Sequence, residues 1–537
     1  MLLSLFLSAG ISAGCILAGK LLLHYFQLES YQFPGYFRTV RRNLFKSLLP
    51  GFLMMLLLFL CILLVALVLP GPEVPWFVYF AVVVVLAAGG YAVGRFCSEK
   101  KAKKAFVFTA RMKRLYLISF ILFTLILWFV SLRMSATGST FSFSSVFVIL
   151  FPLFLPLWIA LSGFLAWPVE KAISELYFRD AQHILRGRDD LIRIGITGSW
   201  GKTSVKFILG RMLEEKYHTL VTPASYNTPM GVTKIIRSRI EPGHRVFVAE
   251  MGARHVGDIR EMCRLVHPTM GILTSVGPQH LDTFRTVERV AQTKYELIEG
   301  LPDDGCAFFA DDNGICFGLY QKTGKEKYLS GLNGERDDVW AENIQTNEKG
   351  SSFELCTKEL RIPCQTALLG ELNIRNILLC ACVCLKLGLN AEQISRGISK
   401  LKPVEHRLQL IENSGGITVI DDAFNSNILG AQQAFKVLKL MPGKRILVTP
   451  GMVELGNRET ELNREFGRAA SDCCDTVILV GKKRSGAIVE GLEEGGFNRS
   501  DIYVTANLDE AAELLKTIAK NGDTVLFEND LPDNYSE

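Results

Sequence analysis

The sequence predicts an N-terminal bundle of five membrane-spanning helices, then a central α/β domain built on a phosphate-binding loop and a parallel sheet, then a Rossmann-like α/β domain. Three observations carry this prediction. Mean hydropathy over the 537 residues is +0.23, and the apolar excess lies before Pro168, whereas the remainder has the composition of a charged α/β protein. The run Arg193-Ile-Gly-Ile-Thr-Gly-Ser-Trp-Gly-Lys-Thr-Ser204 reads as a strand, a glycine turn and a helix start. From there to the end, strand-like and helix-like patterns alternate. The predicted divisions are a membrane domain over 1–168, an amphipathic linker over 169–190, a central domain over 191–403 and a last domain over 404–537.

Five apolar runs reach the roughly 20 residues that a helix needs to cross a bilayer: Leu2–Leu23, Leu48–Leu69, Trp76–Phe96, Leu115–Leu132 and Ser145–Trp167. The first lacks the basic start of a signal peptide, and further spans follow it. Pro152 and Pro156 interrupt the fifth, which predicts a kink. Basic residues cluster in two connections: Arg38, Arg41, Arg42 and Lys46, then Arg95, Lys100, Lys101, Lys103, Lys104, Arg111, Lys113 and Arg114. The other two connections carry only Arg133. Positive loops stay inside, so the N-terminus is expected outside the plasma membrane and everything after Pro168 in the cytoplasm, where ATP is. Apart from Lys20, no Asp, Glu or Lys lies deep in a span, which argues against a pump or transporter. The spans read as an anchor, with a pocket for a lipid-linked substrate as the alternative.

The net charge of +5 is concentrated between the apolar runs, which favours a membrane surface over nucleic acid. No zinc-finger, helix-turn-helix or RNA-recognition pattern is present. The thirteen cysteines show no metal-ligand spacing. Cys380, Cys382 and Cys384 alternate within ILLCACVCLKLG, a buried-helix pattern that cannot aim three thiols at one ion, and a reducing cytoplasm is expected.

In the phosphate loop, Gly198 and Gly201 let backbone N–H groups close on an anion, and a helix N-terminus beginning near Lys202, Thr203 and Ser204 adds its dipole. Lys202 would reach the β- and γ-phosphates, and the Thr203 hydroxyl would face Mg²⁺. Strict spacing would require glycine where Ile196 stands, so the loop is a variant. The strand Arg245–Glu250 ends in a carboxylate suited to Mg²⁺, and the strand Gly271–Val276 leads to His280. Gly-x-Gly-x-x-Gly is absent, which weakens a dinucleotide reading.

In order, TGSWGKTS (197–204), NTPMGV (227–232), AEMGARHVGDI (249–259), TSVGPQHLDTF (274–284), Lys294 in AQTKYELI, GELNIRN (370–376), EHRLQ (405–409) and IDDAFNSN (420–427) resemble the motifs of the Mur ligase family, and AEMGARHVGDI is similar to its MurF branch. The resemblance implies an ATP- and Mg²⁺-dependent ligase that phosphorylates a carboxylate and then lets an amine attack the acyl phosphate. It implies catalytic roles for Lys202, His280, Lys294 and Arg407. It places Gly198, Gly201, Lys202, Thr203, Ser204, Asn376, Arg407 and Asp422 around the nucleotide, with Asn376 at the adenine, Arg407 at the γ-phosphate and Asp422 at the ribose. Thr203 and Glu250 would hold one Mg²⁺, and His280 with carbamylated Lys294 a second.

Two features depart from the MurF pattern. A membrane domain replaces the soluble domain that grips the UDP-muramoyl end, and the C-terminus LFENDLPDNY is acidic. Glu528, Asp530 and Asp533 read as a solvated tail, with a face for a cationic amine as the alternative. The expectation is therefore a membrane-anchored ligase of a cell-wall or cell-surface peptide precursor, a step of peptidoglycan or related cell wall biogenesis. Its expected partners are the bilayer and a peptide or amino-acid substrate, lipid-linked in one version; a membrane partner protein stays open. Alternatives are a polyglutamate-type ligase of the same fold and a nucleotide-binding membrane scaffold, the latter opposed by the presence of Lys202, Glu250, His280 and Lys294 together.

Overall fold

The computed structural model describes residues 2–530 except 70–73, 99–104, 138–142, 225, 313, 348, 413–415, 424–427, 454 and 456–457. The chain divides into two compact units, one reaching Glu175 and the other beginning at Leu176.

The first unit is helical. Among the described residues, four helices are long and apolar enough to cross a membrane: Leu44–Val68, Trp76–Cys97, Ala110–Arg133 and Ser145–Arg186. The helices Leu2–Ala18 and Lys20–Leu28 meet at 53° and count as a fifth if taken as one broken span. Glycines bring two of these helices together backbone to backbone. A methyl group on Gly90 would lie 2.2 Å from the Gly14 carbonyl oxygen, and one on Gly94 would lie 2.1 Å from that of Leu17. Outward faces carry exposed Phe59, Leu63, Leu67, Phe77 and Phe80, a surface suited to lipid rather than water. The expected break at Pro152 is a 3₁₀ turn over Phe151–Phe154. The helix that follows, Leu155–Arg186, contains Pro168 and makes the segment expected as a linker helical as far as Arg186. Near its middle, buried Glu170 accepts two hydrogen bonds from Arg114, at 2.6 and 2.8 Å. The basic cluster Lys100, Lys101, Lys103 and Lys104 lies outside the described residues.

Among the described residues, the second unit holds fifteen strands in two sheets. The first nine are β1 (Ile192–Thr197), β2 (Thr219–Val221), β3 (Val246–Glu250), β4 (Met270–Leu273), β5 (Cys306–Ala310), β6 (Glu326–Gly331), β7 (Val339–Asn347), β8 (Gly350–Cys356) and β9 (Arg361–Thr366). They form one sheet in the order β2-β3-β1-β4-β5-β6-β7-β8-β9, parallel as far as β7 and antiparallel beyond it. The parallel part matches the expected α/β sheet; the antiparallel extension β7–β9 was not anticipated. The helix Glu371–Lys386 packs in the same core as the helix Lys202–Leu213, and it buries Cys380, Cys382 and Cys384 as expected. Every cysteine is a free thiol.

The remaining strands are β10 (Gln409–Glu412), β11 (Thr418–Asp422), β12 (Arg445–Thr449), β13 (Thr476–Val480), β14 (Ile502–Thr505) and β15 (Thr524–Glu528). They form the order β10-β11-β15-β12-β13-β14, parallel except for β10. β11, β12, β13 and β15 are the strands that the sequence shows; β10 and β14 are short additions.

Candidate active site

The site lies at the carboxyl ends of parallel strands, where loops leave the sheet and helices begin. Ile196 of β1 pairs with Glu250 of β3, and Thr197 pairs with Leu273 of β4. The phosphate loop, the Glu250 carboxylate and the loop toward His280 therefore leave adjacent strand tips.

Two glycines in the loop are fixed by their surroundings. Gly201 has φ +80°, a left-handed conformation that suits glycine, and a methyl group on Gly198 would lie 2.0 Å from Thr274 Oγ1. The loop is tied to the segment after β4: Trp200 N–H donates to Ser275 Oγ at 2.8 Å, and Gly277 N–H donates to Ser199 Oγ at 3.0 Å. His280 follows three residues after Gly277, with φ +50° at the start of the short helix Leu281–Phe284. Ser204 lies in the first turn of the helix Lys202–Leu213.

Lys202 is turned back over its own loop. Its Nζ donates to Gly198 O at 2.6 Å and to Ser199 O at 3.2 Å. Burial pulls its pKa down to about 8, Glu250 opposes this and Arg407 adds to it. Thr203 Oγ1 donates to Glu250 at 3.1 Å, Asn227 Nδ2 donates to Oε1 at 3.1 Å, and Lys206 Nζ donates to Oε2 at 3.0 Å. Burial works to raise the Glu250 carboxyl, but the charges of Lys206 and Lys202 outweigh it, so it is held below the ordinary carboxylate range. A hydroxyl and an anionic carboxylate within 3.2 Å of each other offer the oxygen donors that Mg²⁺ prefers, so Thr203 and Glu250 fit one such ion.

Lys294 comes from the helix Val287–Glu299 and is 1% exposed. Burial first, then the charge of Lys202, holds its pKa well below the usual lysine value, while Asp258 and Glu250 act the other way. Its Nζ makes no hydrogen bond or ion pair with the described residues. As a cation Lys294 would be a poor metal ligand; a carbamate there would supply an anionic oxygen. Two residues on, Glu296 accepts from Gly257 N–H and Arg260 N–H, each at 2.9 Å, and so pins the AEMGARHVGDI loop to the helix of Lys294.

Asn376 lies against the phosphate loop, its Oδ1 3.2 Å from where a methyl group on Gly201 would be. Arg407 is half-buried; burial lowers its pKa, and the charges of Asp422, Glu250 and Glu528, which come from both sheets, act the other way. Asp422 accepts from Leu408 N–H at 3.1 Å, and burial pushes its carboxyl up to about 6. Asp422 pairs in register with Glu528, which is 1% exposed. This corrects the expectation of a solvated tail at that residue: Glu528 ends β15, which lies inside the last sheet between β11 and β12, and it is buried there. Asp530 is exposed, and Asp533 lies outside the described residues, as do residues 424–427 of the IDDAFNSN motif.

The arrangement brings Gly198, Gly201, Lys202, Thr203, Ser204, Glu250, Lys294, Asn376 and Arg407 together, with Asp422 beside Arg407 and His280 on the loop tied to Ser199. Sequence reasoning overlooked Lys206 and Glu296. Lys206 is four residues after Lys202 inside an apolar helical run, so it had to face inward, and that spacing was the available signal.

The Mur ligase middle domain model matches residues 196–384, and the Mur ligase glutamate ligase domain model matches residues 406–528. The chain is similar to the UDP-N-acetylmuramoyl-tripeptide–D-alanyl-D-alanine ligase of Escherichia coli (strain K12), 32% identical over 292 residues, which cover 54% of this chain and 64% of that relative. The enzyme of the same name from Bacillus subtilis (strain 168) is 28% identical over 340 residues, covering 62% of this chain and 72% of the relative. Among solved structures, the MurF ligase of Thermotoga maritima in complex with ADP superposes with a TM-score of 0.60 at 26% identity, covering 66% of this chain and 80% of that one. MurF from Acinetobacter baumannii gives 0.61 at 23% identity, with 66% and 77% covered, and shows the shared fold.

Proposed function

The chain belongs to the Mur ligase family, and on that premise we propose that it is a membrane-anchored, ATP-dependent carboxylate–amine ligase acting on a cell-wall peptide precursor at the cytoplasmic face. The observation that carries this reading is the convergence of Lys202, Thr203, Glu250, Lys294 and Arg407 at the tips of β1 and β3. The domains are proposed as 1–168, 169–190, 191–403 and 404–537, with five spans and the N-terminus outside.

The phosphate loop amides and the N-terminus of the helix Lys202–Leu213 receive the ATP phosphates. Lys202 exchanges the carbonyls of Gly198 and Ser199 for phosphate oxygens, and Arg407 approaches the γ-phosphate from the last domain. The acceptor carboxylate attacks the γ-phosphorus, the bond to the β-phosphate oxygen breaks, and ADP leaves. The amine then attacks the acyl carbonyl, loses a proton, and phosphate departs. Mg²⁺, when bound by Thr203 and Glu250 and by His280 with carbamylated Lys294, supplies charge neutralisation for both phosphate and carboxylate. Asn376 and Asp422 orient the nucleoside.

The relatives' names include a muramoyl tripeptide and D-alanyl-D-alanine, which are the first acid and amine to try. Purified full-length protein with ATP, these compounds and lipid-linked analogues should release phosphate and yield a product heavier by the amine minus water. Absence of both with every pair would overturn the reading. For membrane recruitment of the acceptor, a fragment from about Lys171 should bind ATP yet turn over a membrane-borne acceptor at least about tenfold more slowly, because distal binding energy helps place the reacting carboxylate. Equal rates would leave the spans as an anchor only.

A further inference from the structure

We propose that Lys206 is a positioning residue that sets the order of binding at this site: it neutralises the Glu250 carboxylate, so that a divalent cation enters with the nucleotide and not before it. The inference rests on the ligase reading of the site. Lys206 and Glu250 form a fully buried ion pair, with side-chain exposures of 0% and 2% and a separation of 3.0 Å. Lys206 Nζ also donates to the Ala224 carbonyl and lies 4.6 Å from the centre of the Phe207 ring. Its position is therefore fixed from three sides. Oε2 of Glu250 is shared between Lys206 and Thr203, and Oε1 between Thr203 and Asn227.

A buried carboxylate beside a threonine hydroxyl would otherwise be a ready site for free divalent cations. Lys206 cancels its charge, and Lys202 close by makes the surroundings positive. A bare dication then meets no net attraction, whereas one carried by a nucleotide arrives with the phosphate charge that balances it. A purely structural role explains this lysine less well. It sits on the buried face of its helix beside Val205, Ile208 and Leu209, where a hydrocarbon side chain packs without the cost of taking an ammonium out of water.

The test is Mn²⁺ binding to the full chain in detergent, read by electron paramagnetic resonance with and without ADP. The native protein should take up Mn²⁺ with ADP and bind it at least about tenfold more weakly alone. Lys206→Met and Lys206→Gln should each bind Mn²⁺ without nucleotide at least about tenfold more tightly than the native protein. Adding Glu250→Gln to either should abolish that gain. The proposal is overturned if folded Met and Gln variants bind bare Mn²⁺ no more tightly than the native chain. Native protein that binds Mn²⁺ equally well with and without ADP overturns it whatever the variants do. Failure of the native chain to bind Mn²⁺ even with ADP overturns the ligase reading itself, which separates the two failures.

Discussion

Two strand-tip carboxylates, one on each sheet, act on the charge of Arg407, and their surroundings differ in kind. Glu250, at the tip of β3, has a fixed ammonium, a hydroxyl and an amide as partners, and it is held in the anionic form. Asp422, at the tip of β11, lies beside Glu528 with one backbone N–H and the charge of Arg407, and burial raises its pKa. The first is equipped to stay charged whatever binds. The second is raised by burial against the opposing pull of Arg407 and of a hydrogen bond with the Glu528 side chain. On the proposed reading, the middle sheet would offer an anion for metal and phosphate chemistry, and the last sheet a partner for the nucleotide.

The largest effect is expected at the middle sheet. Lys202→Ala removes the cation that the mechanism moves from the loop carbonyls to the γ-phosphate. ATP turnover should fall by roughly 10³-fold, with the protein still folded and membrane-bound. Near-normal phosphate release from the purified variant would break the comparison at its root, since Glu250 would then have no phosphate to serve.

Next comes Lys294. A buried lysine amine with little tendency to protonate is free to attack CO₂ and lose a proton, leaving a carbamate. Lys294→Ala should reduce turnover by about 10²-fold or more. Short carboxylic acids should restore part of it by supplying the missing oxygen donor. A well-resolved Mg²⁺-bound site with an unmodified ammonium at Lys294 would refute this and leave Glu250 as the sole carboxylate-type metal ligand near the loop.

Much of this contrast could be read from the chain before the fold was known. The loop lysine and threonine, Glu250 and Lys294 stand out because strand tips and glycine turns leave local marks. The partners of Glu250 were harder to see: Asn227 lies 23 residues away and Lys206 lies 44 away, and only the sheet order brings them together. Glu528 was misread as tail because its burial depends on β15 lying in the middle of the last sheet, a non-local fact. The short strands β10 and β14 lacked enough alternation to register. In the first unit, hydropathy revealed the helices, but not the break at Gly19 or the backbone contact at Gly14 and Gly90.

The smallest effect is expected at Asp422, and its sign separates the two carboxylates. A carboxyl raised from 3.8 to about 6 favours the protonated form in the folded state. Its contribution to stability is fully present below the unfolded pKa of about 4 and is lost as pH rises through 6. Asp422→Asn keeps an oxygen to accept from Leu408 N–H and removes the charge that burial disfavours. At pH 7 to 8 the variant should therefore be more stable than the native chain by on the order of 1–2 kcal/mol, and so unfold at a higher temperature. That advantage should shrink to nothing near pH 4. Glu250→Gln should behave oppositely at neutral pH, because it leaves Lys206 buried without its counter-charge. Turnover should follow the same division, with Asp422→Asn acting mainly on the KM for ATP and Glu250→Gln on kcat. Thermal unfolding of both variants across pH 4 to 8 checks the prediction; destabilisation of Asp422→Asn at pH 8 would show that its negative charge is needed to hold Arg407, and the distinction between the two strand tips would be lost.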